Sequence, residues 1–295
     1  VSYQIIVHGG AYDNDSDVVL RKRVCEDIVV ALEKDLSNGA AALDICERAV
    51  NMLEDDPLFD AGTGSYIQTD GEIRMDASLM TSDMELGCVL QISNVRNPIS
   101  VARKILENPL HCTLSGEGAN QFAAEMGFAR HDPRTPETRE IHERIVRPLA
   151  GDRSYTNIAA QYGPHAPSLS TVGCVVRDHH GKIAAGTSTG GRQVCYQGRV
   201  GDSGQPGNGT YADRHAGISC TGIGEKIMRV GMARIVALYV ELGDPLDIAC
   251  DKALNKLIEI DGRGGVIAIS HMGEIAYKFN TRTMDFAMAL RGSNE

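Results

Sequence analysis

Two apolar runs, Thr171-Val172-Gly173-Cys174-Val175-Val176-Arg177 and Lys182-Ile183-Ala184-Ala185-Gly186-Thr187, stand on either side of His179-His180-Gly181. Each run has strand length, and the polar Gly-containing step between them reads as a turn. Downstream, Ala216 to Cys220 reads as a third strand. Helical periodicity follows over Glu225 to Leu242 and Leu246 to Ile260. Val266 to Ser270 and Glu274 to Phe279 predict a hairpin around His271-Met272-Gly273. Strands and helices thus mix without strict βαβ alternation, which favours an α+β layered architecture over a doubly wound parallel sheet.

Upstream, Tyr3 to His8 reads as a first strand rather than a signal peptide, because its apolar run lacks a basic flank. Asp17 to Leu36 is helical, with Ser16 as N-cap and Gly39 as stop. Ala40 to Leu53 is a second helix. Gly64 to Gln68 and Glu72 to Met80 predict strands joined by Thr69-Asp70-Gly71, and Gly87 to Ile92 predicts another. Pro98 to Leu106 and Gly118 to Met126 are helical. Residues 128–170 change character: Arg, His, Pro, Thr and Glu crowd the segment, which reads as a polar, loose connector holding one helix near Glu137 to Leu149.

Composition excludes several classes. The chain has 295 residues, 42% hydrophobic and 23% charged, which is ordinary globular usage. It carries 29 Lys+Arg against 39 Asp+Glu, a net charge of -10. An acidic chain without a basic stripe is a poor partner for nucleic acid. No apolar run is long enough to span a membrane. The eight cysteines form no C-x-x-C pair and read as buried thiols of a protein in the cytoplasm. Neither they nor the nine histidines have metal-site spacing.

Chemistry concentrates in the second half. Thr171, Thr189 and Thr221 each stand at a strand end, with Thr189 and Thr221 lying 18 and 50 residues beyond Thr171. Neighbouring strands can bring the three together. A threonine hydroxyl is a weak nucleophile, but a threonine at a new N-terminus carries its own base, an amine with pKa near ~8. Arg199 can hold a carboxylate bidentately and Asp202 an ammonium, which selects an amino-acid-like ligand. The amides of Gly222, Ile223 and Gly224, leading into a helix, suit an anion. The plain alternative is turn chemistry at strand ends and a local Arg199–Asp202 ion pair.

The chain resembles the plant-type L-asparaginase/isoaspartyl peptidase family of N-terminal nucleophile hydrolases, relatives of glycosylasparaginase. The matching stretches are Val7-His8-Gly9-Gly10-Ala11, Asp56 to Ser65, Met75-Asp76-Ala77, Asn97-Pro98-Ile99, Ser115 to Ala119, Thr171-Val172-Gly173, Thr187 to Gly191, Gly198 to Ser203 and Cys220 to Glu225. They keep the family's order and cover nearly the whole chain outside the connector.

The resemblance implies a four-layer αββα sandwich of the N-terminal nucleophile hydrolase type, a single domain over residues 1–295. It implies self-cleavage between Ser170 and Thr171 into subunits 1–170 and 171–295. Thr171 becomes nucleophile and base, Thr189 bonds near it, and Thr221 and Gly222 stabilise the oxyanion. Arg199, Val200, Gly201, Asp202, Thr221, Gly222, Ile223 and Gly224 line the substrate. The substrate is a small molecule, L-asparagine or a β-aspartyl dipeptide. The chemistry needs no cofactor. A structural sodium ion on backbone carbonyls of Leu53, Glu54, Asp56, Phe59, Ala61 and Thr63 is implied, as is a homodimer of cleaved protomers. Glycosylasparaginase activity, or an uncleaved relative that only binds ligand, is the alternative.

Three departures stand out. Asp60 replaces the family's usual Asn beside the nucleophile, and an ionised Asp accepts hydrogen bonds without donating. Ser170 stands where Gly or Asp is usual, with less freedom for strained backbone. Gly204-Gln205-Pro206-Gly207-Asn208-Gly209 departs from the family's pattern after Asp202-Ser203 and reshapes one wall of the pocket.

Overall fold

A computed structural model describes residues 2–13, 17–108, 110–163 and 171–291. The first half runs β1 (Tyr3–Tyr12), α1 (Val18–Ser37), α2 (Ala42–Asp55), β2 (Met75–Thr81), β3 (Leu86–Ile92), α3 (Pro98–Glu107), β4 (Thr113–Ser115) and α4 (Gly116–Glu125). Then come α5 (Pro136–Val146), a 3-10 turn at Arg147–Leu149, and α6 (Tyr155–Tyr162). The second half holds β5 (Val172–Arg177), β6 (Ile183–Thr189), β7 (Thr210–Ala212), β8 (Ala216–Gly222), α7 (Gly224–Val230), α8 (Met232–Glu241), α9 (Leu246–Ile258), β9 (Gly264–Ser270), β10 (Ile275–Phe279) and β11 (Thr283–Arg291).

The described strands form two sheets, ordered β11-β1-β5-β6-β2-β3-β4 and β10-β9-β8-β7. The pairings are antiparallel except β3 with β4. Alternation along the central strands explains the packing. Val172, Cys174 and Val176 of β5 enter one hydrophobic core with Ile45, Val50 and Leu53 of α2. Val175 of β5 and Ala185 of β6 enter a second core with Ile218 of β8 and Val236 of α8. Successive side chains on a strand point to opposite faces, so one strand serves both cores. α1, α2 and α3 lie against the large sheet, α8 and α9 against the small one, and β8 and β9 meet β1, β5 and β6. The molecule is a mixed α/β assembly of packed sheets and helices.

Local sequence accounts for several features of the helices. In α2 the buried Ala42, Ile45, Cys46, Ala49, Val50 and Leu53 make a stripe of helical period. α3 begins at Pro98, whose missing N–H costs nothing in a first turn. The helix predicted over Glu225 to Leu242 is broken in two. Gly231 takes φ 65°, a left-handed conformation that ends α7 and starts α8. Ser16, the predicted cap of α1, lies outside the described residues.

Other differences have physical causes. Gly64 to Gln68 is not a strand. The turn itself forms, with the Gln68 N–H donating to the Glu72 carbonyl at 2.8 Å. However, Gly64 and Thr69 donate to the distant carbonyls of Pro133 and Cys195 instead of a neighbouring strand. The segment read as a loose connector carries α5, where one helix was expected near Glu137 to Leu149, and also the unexpected α6. Thr135 and Thr138 cap α5 reciprocally. Ile145, Leu149 and Ile158 close a small core with Val194. β11, absent from the sequence reading, pairs with β1 along its length, across a bulge between His8 and Gly10. Gly9 belongs to this bulge, where a Cβ would stand 2.3 Å from the Phe59 ring.

One buried acid marks the floor of the large sheet. Glu54 is fully buried, and its Oε1 accepts the Ile99 N–H at 3.0 Å in the first turn of α3. Burial pushes its pKa up to about 8, against the hydrogen bond from the Ile99 amide. The unfolded chain loses this proton near pH ~4.3, whereas the folded chain keeps it. Stability from this group is therefore full below that pH and declines as pH rises towards about 8. Thermal midpoints measured from about pH 5 to about pH 9 should fall for the parent and fall less for Glu54→Gln; parallel curves would count against the assignment.

Candidate active site

The β5–β6 pairing sets Val172 opposite Ser188 and Gly173 opposite Thr187. Thr171 and Thr189 therefore meet at the open end of the pair. Both are buried, and their hydroxyl oxygens stand 3.5 Å apart. The Gly191 N–H donates to Thr189 Oγ1 at 3.1 Å, so that hydroxyl is aimed by its own turn. β8, which packs on β5 and β6, carries Thr221. Its hydroxyl is fully buried with no hydrogen-bond partner among the described residues. A buried hydroxyl left unpaired is costly, and a substrate oxygen would satisfy it. Ser170, the other side of the expected cleavage site, lies outside the described residues.

The loop of residues 198–203 is fastened by Asp76, a residue the sequence reading quoted in Met75-Asp76-Ala77 without a role. Its two carboxylate oxygens accept the Gln91 N–H at 2.7 Å and the Gly201 N–H at 3.1 Å. Gln91 Nε2 donates to the Arg199 carbonyl at 2.7 Å. Nothing in the sequence singled out Gln91. Val200 sits at the rim, beside Leu90 and Gln91.

Arg199 is gripped bidentately, and its partner is Glu225, not Asp202. Nε and Nη2 donate to the two Glu225 oxygens at 3.0 and 3.1 Å. Burial opposes ionisation of Glu225, but Arg199 outweighs it and holds the pKa below its ordinary value. The planar fork is thus pre-oriented before any ligand arrives. Asp202 is buried, and its Oδ2 has no hydrogen-bond partner among the described residues. Burial pushes its pKa up to about 7, with the Arg199 charge pulling the other way. Gly224 closes over this pair, since a Cβ would stand 2.6 Å from Asp202 Oδ1 and 2.9 Å from Arg199 Nη2. Gly222 takes φ 147°, and a Cβ there would strike the Arg263 carbonyl at 2.3 Å. The Ile223 N–H is spent on that same carbonyl at 2.8 Å, so it is not offered to an anion.

Asp60 is buried against the turn after Thr189. The Gly190 N–H donates to its carbonyl at 2.8 Å, and the Tyr66 N–H to its Oδ1 at 3.2 Å. Burial pushes the carboxyl well above the usual range, against the Tyr66 amide and the Arg199 charge. A neutral carboxyl has an O–H to donate, which an ionised one lacks. Burial thereby favours the form of Asp60 that has a donor, as Asn would have.

The loop of residues 53–63 is curled by backbone bonds. Thr63 donates to the Glu54 carbonyl at 2.7 Å, Phe59 to that of Asp56 at 3.2 Å, and Asp56 to that of Leu53 at 3.4 Å. Gly62 takes φ 54°, with its Cα so near the Glu54 carbonyl that a Cβ would lie 2.4 Å from it. Each carbonyl keeps a second lone pair for a hard cation. Among the described residues no three His, Cys, Asp or Glu side chains gather as a metal site.

A family model described as asparaginase matches residues 1–295. The chain belongs to the asparaginase family. It is 39% identical over 301 residues to the plant-type L-asparaginase of Pyrococcus abyssi (strain GE5 / Orsay), covering 99% of this chain and 97% of that protein. It is also 39% identical over 298 residues to the isoaspartyl peptidase/L-asparaginase of Rattus norvegicus, covering 99% and 87%. The isoaspartyl peptidase/L-asparaginase of Bos taurus is 37% identical over 294 residues, covering 98% and 93%. Among the described residues no helix is long and apolar enough to cross a membrane.

Two pH dependences follow for asparagine hydrolysis. Asp202 must be ionised to hold an ammonium, so kcat/KM should fall as pH drops through about 7. Asp202→Asn should lose that limb; a profile flat across this range in the parent would separate Asp202 from the substrate. Asp60 donates only while protonated, so its titration should lower activity on the alkaline side. Asp60→Asn should flatten the alkaline limb, and superimposable profiles would place Asp60 away from the chemistry.

Proposed function

We propose that the protein is an amidohydrolase that cleaves the side-chain amide of L-asparagine and the isopeptide bond of β-aspartyl dipeptides. Thr171 acts after the bond before it is cut. The observation that carries this reading is the buried meeting of the Thr171 and Thr189 hydroxyls at 3.5 Å. It stands in a chain whose relatives are named plant-type L-asparaginase and isoaspartyl peptidase/L-asparaginase.

Maturation begins with attack of Thr171 Oγ1 on the carbonyl of residue 170. The acyl group moves from nitrogen to oxygen, and water hydrolyses the ester. This leaves a carboxylate on residue 170 and an amine on Thr171. In turnover the substrate α-carboxylate takes the edge of Arg199 that Glu225 leaves open, and the ammonium takes Asp202 Oδ2. The Thr171 amine accepts the hydroxyl proton as Oγ1 attacks the substrate amide carbon. The Thr221 hydroxyl and the Gly222 backbone face the developing oxyanion. The amine then protonates the departing ammonia or peptide amine, leaving a β-aspartyl ester on Thr171. Water, deprotonated by the same amine, releases aspartate.

The fold in this reading is a four-layer αββα sandwich, supported by helices against each of the two sheets and by contacts between the sheets. Backbone carbonyls of Leu53, Glu54, Asp56, Phe59, Ala61 and Thr63 would hold a sodium ion, whose part is to stiffen the loop bearing Asp60. The active form is a homodimer of cleaved protomers. We place it in the cytoplasm, on eight unpaired thiols of which only Cys112 is exposed.

A denaturing gel together with amide hydrolysis tests the reading. The parent should give fragments 1–170 and 171–295 and release ammonia from asparagine and leucine from β-aspartyl-leucine. Thr171→Ala should stay whole and lose turnover by roughly 10⁴-fold or more. Comparable turnover in that variant, or an uncut parent that still liberates aspartate, would overturn it.

A further inference from the structure

A buried polar chain joins the two sheets beneath the site. His8 of β1 pairs in register with Gly173 of β5, and its ring lies against the Thr171 backbone. Its Nε2 is 2.9 Å from Ser219 Oγ on β8. Ser219 Oγ is 2.7 Å from Thr187 Oγ1 on β6. The Thr210 hydroxyl of β7 donates to Thr187 Oγ1 at 2.5 Å and lies 3.3 Å from the Ser203 carbonyl. Ser203 follows Asp202 directly. His8, Ser219, Thr187, Thr210 and Ser203 are all fully buried.

The tautomer of His8 sets the direction of the chain. Burial lowers the His8 pKa to about 3, so the imidazole is neutral and carries one ring proton. Nδ1 has no hydrogen-bond partner among the described residues, whereas a proton on Nε2 reaches Ser219. With that tautomer Ser219 donates to Thr187, Thr187 donates to the Gly209 carbonyl at 3.3 Å, and the Thr210 proton is shared between Thr187 Oγ1 and the Ser203 carbonyl. Every hydroxyl of the relay then has an acceptor for its proton, and within the relay only His8 Nδ1 is left without a partner among the described residues. Space has been cleared for it as well. A Cβ on Gly173 would stand 2.1 Å from Ser219 Oγ and 2.5 Å from His8 Nε2. The strand that follows Thr171 gives up a side chain where the relay passes.

We propose that the His8–Ser219–Thr187–Thr210 relay is a positioning device that sets the span between Thr171 and Asp202. Its first end braces the strands carrying Thr171. Its last end reaches the Ser203 carbonyl, which Ser78 Oγ of β2 also approaches. Asparagine must touch both ends at once, nucleophile and ammonium holder. A slack span therefore weakens whatever depends on the ammonium contact. The proposal rests on the amidohydrolase reading, with Thr171 and Asp202 in the roles given there.

Thr187→Val cuts the relay at its centre with little change of shape, and Thr187→Ser restores the hydroxyl. Two readouts apply: kcat/KM for L-asparagine, and the inhibition constants of L-aspartate and of succinate, which lacks the amine. Thr187→Val should lose about tenfold in kcat/KM, the factor corresponding to one buried hydrogen bond. The preference for aspartate over succinate should shrink by about the same factor. Thr187→Ser should return both values to within about threefold of the parent. Equal weakening of aspartate and succinate, or no rescue by serine, overturns the relay and leaves Thr187 a packing residue. So does a parent that binds the two inhibitors equally. Should Thr187→Val fail to fold, Thr210→Val, which removes only the last link, is read by the same criteria. A parent that hydrolyses neither asparagine nor β-aspartyl-leucine fails the amidohydrolase reading and the relay with it. An active parent matched by its Thr187→Val variant fails the relay alone.

Discussion

The antiparallel register of β5 on β6 places Thr171 beside Thr189, and the rest of the site is arranged around that meeting. A slip of one residue would turn every side chain of β5 to the opposite face. Val172, Cys174 and Val176 would leave the helix-facing core, and Val175 would leave the core between the sheets. Burying a single such side chain is worth about 1.5–3 kcal/mol, so both faces oppose the slip. Hydrophobic packing thereby holds a polar contact to which it contributes nothing directly.

Around this pair the molecule buries acids in unusual number and gives each a different task. Asp76 spends both oxygens on backbone N–H groups and fastens the 198–203 loop to β3. Glu54 fixes the first turn of α3. Asp60 braces the turn after Thr189, and Asp202 keeps one oxygen without a partner among the described residues. Burial raises the pKa of all four. A protein that holds so many carboxyls away from water gives up stability near neutral pH for fixed dipoles around the Thr171–Thr189 pair. Arg199, already clasped by Glu225, supplies the balancing charge with little freedom left to lose on binding.

The contrast between what the chain announces and what folding adds is clearest in particular segments. The hairpin around Gly181, the stripe of α2 and Pro98 at the start of α3 were legible because they are local patterns of period and turn chemistry. Gly64 to Gln68 misled because its strand-like residues spend their N–H groups elsewhere, Gly64 on the distant Pro133 carbonyl, Tyr66 on the Asp60 side chain, and Ser65 and Gln68 on the nearby Gly62 and Glu72 carbonyls. β11 escaped notice because its role is to pair with β1, almost the full chain length away. α5 was expected near Glu137 to Leu149, but α6 hid in polar sequence because its few apolar residues gain a core only when Val194 arrives.

By itself the sequence determined the mixed strand and helix content, the ordered set of family motifs, and the residue types at the site, from Thr171 to Asp202. Those follow from local periodicity and from residue identity, which survive without knowledge of neighbours. Only the tertiary structure decided that Glu225 rather than Asp202 clasps Arg199, that the Ile223 amide is already spent, that Asp60 is buried and its pKa raised, and that His8 reaches Ser219 across the sheets. Each of these depends on desolvation or on a hydrogen bond between segments distant in the chain, and neither exists until the two sheets close.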